Sequence, residues 1–194
     1  KSQGQELSVQ TTNIKNNNLT WVTNVIFSHV TTEVTSLMSQ ARTIDLVNGE
    51  ASSGFTMEGY PHRAIFSMPF QGLTDKGIPT YLNEKGELTS TDLDFQNRNS
   101  NGYLIYEGPT EPTITGSLGN EIKWKNWRLN VFLTYSFGSY VRLDRIFSAQ
   151  YNDLTSMTKE FKNRWMQAGN EKTTSVPTIL PYRSFASDRN LRIA

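Results

Sequence analysis

From residue 127 to residue 137, Trp127, Leu129, Val131, Leu133, Tyr135 and Phe137 share one parity, while Arg128, Asn130, Thr134 and Ser136 hold the other. A helix returns to the same face every 3.6 residues, so this period of two fits only an extended strand with one apolar and one wet face. Three further segments carry the same mark. Leu7, Val9 and Thr11 oppose Glu6, Ser8, Gln10 and Thr12; Trp21, Thr23, Val25 and Phe27 oppose Asn24 and Ser28, with Val22 and Ile26 blurring the pattern. Ile114, Leu118, Ile122 and Trp124 oppose Thr115, Ser117, Glu121, Lys123 and Lys125. Composition agrees: 17 Asn, 18 Ser and 22 Thr among 194 residues disfavour helix interiors, and 11% aromatics with net charge +1 exclude a disordered chain. The balanced charge gives no basic footprint for nucleic acid. With no cysteine there is neither a disulfide framework nor a thiolate metal site. The apolar runs fall far short of the roughly 20 residues of a membrane helix.

The alternation predicts strands near 5–14, 19–30, 113–124 and 127–138, joined in pairs by short turns at 15–18 and 125–126. Between and after the two hairpins lie long segments, 31–112 and 139–188, the first holding Gly59-Tyr60-Pro61, Gly72, Gly77-Ile78-Pro79, Gly86, Gly102 and Gly108-Pro109. Compact domains rarely use structureless connections beyond about 12–15 residues. Short turns alternating with very long loops are the asymmetry of an outer-membrane barrel, whose tilted strands need about 9–11 residues each. Trp124 and Trp127 flank one short turn, and Tyr135, Phe137 and Tyr140 close the far end, as aromatic girdles do. The other all-β reading is a secreted antiparallel sandwich that binds glycans through exposed aromatics. A short helix is expected over 156–166, where Met157, Phe161 and Trp165 recur every fourth residue. Lys1 in place of an initiator methionine, and a strand-like start at 191–194, lead us to expect a stretch of something longer.

The segment Pro112-Thr113-Ile114-Thr115-Gly116-Ser117-Leu118-Gly119-Asn120, followed by Trp124-Lys125-Asn126-Trp127-Arg128-Leu129 and Phe132-Leu133-Thr134-Tyr135-Ser136-Phe137-Gly138, resembles a barrel pattern of the SusC/RagA family. That pattern reads P-x-x-x-G-G-x-x-N-x-x-x-Y-K-N-F-x-L-x-x-x-x-x-Y-S-F-G; here Ser117 replaces the second glycine, Trp124 the tyrosine and Trp127 the phenylalanine. Residues 13–28 are similar to the family's N-I-x-x-x-x-F-x-W-x-T-x-x-N-F-S, with Trp21, Thr23, Phe27 and Ser28 in matching places. Gly59-Tyr60-Pro61, Gly72-Leu73 and Gly77-Ile78-Pro79 look like an outer loop of that family, and Asn163-Arg164-Trp165 like its N-R-W segment.

The resemblance implies part of the later barrel of a TonB-dependent outer-membrane transporter of Bacteroidetes type, about 22 strands in the parent. It implies no enzyme. It implies import of oligosaccharides or peptides with a SusD-like surface lipoprotein. The energy-coupling TonB would act through an amino-terminal region and plug with no counterpart in these residues. The other partners are the remainder of the barrel and outer-membrane lipid. Glu121, Lys123, Arg128 and Asn130 are expected to face the lumen, and Tyr60, Tyr81, Phe161, Arg164 and Trp165 are candidate contacts for substrate or partner. Catalytic chemistry finds little support. His29 and His62 have no metal-ligand spacing, and Glu107 and Glu111 border the turn residues Gly108-Pro109 rather than forming a glycosidase pair. No resident cofactor or metal is expected. Asp92 and Asp94 lack the glycine and distal glutamate of an EF-hand, which leaves only an oxygen-lined calcium site in an outer loop as an alternative.

Overall fold

The computed structural model describes residues 1–47, 54–99, 101–143, 146 and 158–179. The order of elements is β1 (Ser2–Lys15), β2 (Leu19–Thr32), α1 (Thr43–Val47), β3 (Ala64–Ser67), β4 (Phe70–Leu73), β5 (Pro79–Leu82), β6 (Leu88–Thr89), β7 (Ile105–Pro109), β8 (Ile114–Trp124) and β9 (Trp127–Phe137). Two short 3₁₀ turns follow, Lys159–Asn163 and Asn170–Lys172. The long strands make one antiparallel sheet in the order β1-β2-β8-β9; β3 pairs with β7, and β4-β5-β6 form a small third sheet. The fold is all-β and antiparallel, as the alternation requires. Met157 and residues 191–194 lie outside the described residues.

The chain divides into two units. The first comprises Lys1–Met38, Thr56–Ala64 and Gly108–Tyr140, and holds the long sheet. Its turns are local. Asn16 Oδ1 accepts from the amides of Asn18 and Leu19 at 2.9 and 2.7 Å, a side-chain turn that reverses the chain without glycine. At the second turn Lys125 adopts φ 51°, and its amide donates to the Asn18 carbonyl at 2.9 Å, tying the two turns together.

The second unit, Ser39–Phe55, Ile65–Glu107 and Val141–Ala194, contains nearly all the dry core. Leu46, Val47, Ile65, Phe66, Met68, Tyr81, Leu93, Phe95, Leu104 and Val176 are buried there, whereas no apolar side chain of β1, β2, β8 or β9 is. Buried Thr43 donates to Asn101 Oδ1 at 2.8 Å, and Asn101 donates to the Ala41 carbonyl at 2.9 Å, so these two buried polar side chains satisfy one another and the backbone. Arg42 grips Asp45 through Nε at 2.9 Å and a terminal nitrogen at 2.6 Å across the first turn of α1. The loop segment 31–112 is therefore folded, with its own helix, strands and core.

Around residues 156–166 the structure corrects the helical expectation. Among the described residues of this stretch only Lys159–Asn163 turn, as a 3₁₀ segment, and the chain becomes extended at Arg164 (φ −60°, ψ 150°). Trp165 is claimed instead by tertiary bonds: its amide donates to the Val176 carbonyl and its indole to Glu171. Phe161 and Trp165 thus share no helical face.

Candidate functional site

Direct cross-strand partners point to one side of a sheet, so the register assigns both faces. On one side lie Leu7, Val9, Ile14, Leu19, Trp21, Val25, Phe27, Ile114, Leu118, Ile122 and Trp124, with the odd-numbered residues of β9 beside them. These side chains are open: Trp127 is 76% exposed, Leu129 57% and Leu133 59%. An open apolar face this broad is uncharacteristic of a water-soluble monomer. Gln5 and His29 join this face near its far end, and the polar cluster in its middle is satisfied internally. Thr11 donates to Asn13 Oδ1 at 3.0 Å, Asn13 Nδ2 donates to Thr23 Oγ1 at 2.6 Å, and both Thr23 and the Trp21 indole donate to Asn120 Oδ1 at 2.7 and 2.9 Å. Higher up, the Tyr135 ring lies across Gly116, stacks on Phe137 with centroids 5.7 Å apart, and donates its hydroxyl to the Ile26 carbonyl at 3.2 Å.

The opposite face carries Glu6, Ser8, Gln10, Thr12, Asn24, Ser28, Thr115, Ser117, Glu121, Lys123, Arg128, Asn130, Thr134 and Ser136. Glu121, Lys123, Arg128 and Asn130 come together here. Glu121 Oε1 is 2.9 Å from Lys123 Nζ and 3.6 Å from Arg128 Nε, and Asn130 stands directly opposite Glu121. A bulge between Thr12 and Ile14 shifts the phase of β1, so Ile14 joins the apolar face and Lys15 the polar one. Val22, Ile26, Val30 and Phe132 break the chemistry of this face; Phe132 is 67% exposed, yet its ring covers the backbone of Gly119, which a Cβ would contact at 3.2 Å.

The candidate residues of the loops are placed differently from one another. Tyr60 is half-buried and its carbonyl accepts from the Val34 amide at 2.9 Å. Tyr81 is only 6% exposed, meets Phe70 edge-on with centroids 5.9 Å apart, and has its phenol pushed up to about 12 by burial. It is a core residue, and contact through it would require the loop core to open. The Arg164 guanidinium lies over the Phe161 ring at 4.6 Å. Trp165 covers Gly77, where an added Cβ would meet the indole at 2.5 Å, and donates to Glu171 at 3.1 Å. The Glu171 carboxyl is held below its usual range by its own backbone amide, then by that indole. Trp165 therefore offers packing rather than an open stacking platform.

The remaining ionisable groups serve the loops. Glu107 accepts from Ser67, and Glu111 pairs with Arg63 at 3.9 Å. Asp94 closes a turn on the Gln96 amide at 3.0 Å, and the Asp92 amide donates to Thr89 at 2.9 Å. Burial pulls the half-buried Arg142 down, with Glu107 partly offsetting this, while Arg142 donates to the Phe66 carbonyl at 2.5 Å. Among the described residues no group of three or more His, Asp or Glu side chains is arranged to hold a metal ion. None of the described helices is long and apolar enough to cross a membrane, which does not bear on strands.

No family model and no curated protein matches the sequence. Among solved structures the chain is similar to a chain of the RagAB peptide transporter, at TM-score 0.62 and 20% identity over 98% of its length. In fold the chain is SusC/RagA-like. A second likeness, to the RagAB peptide importer in its open-open state, has TM-score 0.61 and 21% identity over 93% of the chain. The chain spans 21% and 19% of the two transporter chains.

In this RagA-like sheet, sequence reasoning found the charged residues of β8 and β9 through their parity. It missed Lys15, because the bulge that turns this residue to the polar face leaves only a slip from Thr11 to Ile14 in the alternation. It also missed Phe132, whose reason for standing on a polar face is Gly119 across the ladder.

Proposed function

We propose that this chain supplies barrel wall and outer loops to a TonB-dependent outer-membrane importer of peptides or oligosaccharides that works with a SusD-like surface lipoprotein. The observation that carries the reading is the two-solvent character of the long sheet, apolar and open on one face, mostly polar and charged on the other. A strand wall between lipid and an aqueous lumen needs both. The open edges of β1 and β9 then pair with the rest of the barrel, since unpaired backbone is not viable in lipid. Glu121, Lys123, Arg128 and Asn130 face the lumen. Likeness in fold to a peptide transporter supports transport rather than catalysis, and favours peptides. Tyr60, Phe161 and Arg164 are the loop residues proposed to meet substrate or lipoprotein.

The test is uptake of a labelled peptide pool and a labelled oligosaccharide pool by cells displaying the full-length protein. Accumulation should depend on the energised inner membrane, and a surface lipoprotein should co-purify. Uptake that survives collapse of the proton gradient, or equals that of cells lacking the protein, would reject the reading. Deleting 158–168 should impair capture or lipoprotein docking without preventing insertion.

A further inference from the structure

Three cations share one row of the polar face. Lys15 is the partner of Thr20, Thr20 of Lys123, and Lys123 of Arg128, so the row crosses all four strands. Adjacent strands lie about 4.8 Å apart, so the row is about 14 Å wide. The bulge in β1 completes it, because in an unbroken strand Lys15 would share the parity of Thr11 and point to the apolar side. Among the described residues only Glu121 answers these charges nearby, and Lys123 and Arg128 both address its Oε1 oxygen. The other carboxylate of this face, Glu6, belongs to the row of Ser28, Thr115 and Ser136, four rows up. At about 27 Å along the strands it is well beyond a Debye length of about 8 Å. Among the described residues Lys15 has no ion-pair partner, and Arg128 has only its Nε contact with Glu121. The terminal nitrogens of a guanidinium form a fork matched to a carboxylate.

We infer that the Lys15–Lys123–Arg128 row is a carboxylate-binding station on the lumenal wall, and that the solutes it favours are peptides carrying free carboxylates. This rests on the transport reading above and deepens it. A neutral oligosaccharide offers this row no charge to bind. An extended peptide brings its terminal carboxylate and any acidic side chains, and surplus positive charge in a cleft raises the local concentration of such anions.

Two labelled peptides of equal length test the inference: one with free carboxylates and glutamate side chains, one acetylated, amidated and uncharged. Both are offered to cells displaying the full-length protein. Replacing Lys15, Lys123 and Arg128 together by Gln should lower uptake of the acidic peptide about tenfold, as three weakened ionic contacts would, and leave the uncharged one within about twofold. Arg128→Gln alone, the milder change, should lower acidic uptake about threefold. The charge-conserving set Lys15→Arg, Lys123→Arg and Arg128→Lys should keep most of the acidic preference. Equal loss for both peptides, with less folded protein in the membrane, would show that the row anchors an acidic segment of the protein and overturn the inference. No change for either peptide would overturn it too. If wild-type cells import neither peptide, the transport reading itself fails and takes the inference with it.

Discussion

Leu133→Arg is the sharpest probe of which face meets lipid. Leu133 is the seventh of the eleven residues of β9, close to its centre, and is 59% exposed on the apolar side. Its row is Val9, Val25, Leu118 and Leu133, so a guanidinium placed there finds no acceptor across the ladder. Arginine at the midplane of a barrel's lipid face costs about 2–4 kcal/mol. That is a shift of about thirtyfold to several hundredfold in the folded-to-unfolded ratio. Asn130→Arg, three residues away on the other face, sits opposite Glu121 and should change stability by no more than about 1 kcal/mol. Val131→Arg should fall in the same lipid-face range, because the side-chain oxygen of its partner Asn120 already accepts from Trp21 and Thr23. The assay is urea unfolding of the full-length protein in lipid bilayers, read by its heat-modifiable electrophoretic shift. Equal costs at 133 and 130 would refute the assignment of faces. So would a cost at 131 no larger than that at 130.

Lys125 holds a left-handed φ of 51°, so Lys125→Val should destabilise by about 1–2 kcal/mol while Lys125→Gly is tolerated, as read by the same unfolding midpoint. Gly77→Ala meets both a φ of 73° and the Trp165 indole; a cost of about 1–3 kcal/mol should appear as faster proteolysis near 158–179 and a shifted tryptophan emission. The Asp45 carboxyl is held below its usual range chiefly by its hydrogen bond from Arg42. Its contribution is therefore complete above the unfolded carboxylate pKa of about 3.9 and is lost as pH falls through the lower folded value. Hydrogen exchange of α1 should accelerate only in that acidic window, and Asp45→Asn should abolish the pH dependence.

The long sheet was readable in the sequence because a half-wet strand imposes its period on every residue. Parity alone sorts Trp127 from Arg128 and Leu129 from Asn130. The loop core gave no such signal. Leu46, Phe66, Tyr81, Phe95 and Leu104 are scattered without period through a segment rich in Gly and Pro, and only tertiary contact makes them neighbours. For that reason Tyr81 reads as an exposed aromatic although it is buried. The four-residue recurrence of Phe161 and Trp165 imitates a helix, but the Val176 carbonyl and the Glu171 carboxylate draw Trp165 out of it. The bulge was hidden for a subtler reason: Ile14 is apolar and Lys15 charged, which keeps each face consistent while the count of residues slips by one.

The pairing of β2 with β8 spans 81 residues between Thr32 and Ile114, and the Val30 amide already donates to the Thr113 carbonyl at 2.9 Å. Closing a flexible loop of that length costs about 4 kcal/mol in chain entropy, against about 1 kcal/mol for a tight hairpin turn. The two hairpins can zip locally, so the slow step of the long sheet is their meeting. A connection that has condensed around Leu46, Phe66, Tyr81 and Leu104 is no longer a flexible loop, and its remaining search is correspondingly short. Damage to that core, by Phe66→Ala for instance, should then register as a delay in assembly of the long sheet, with each finished hairpin unaltered.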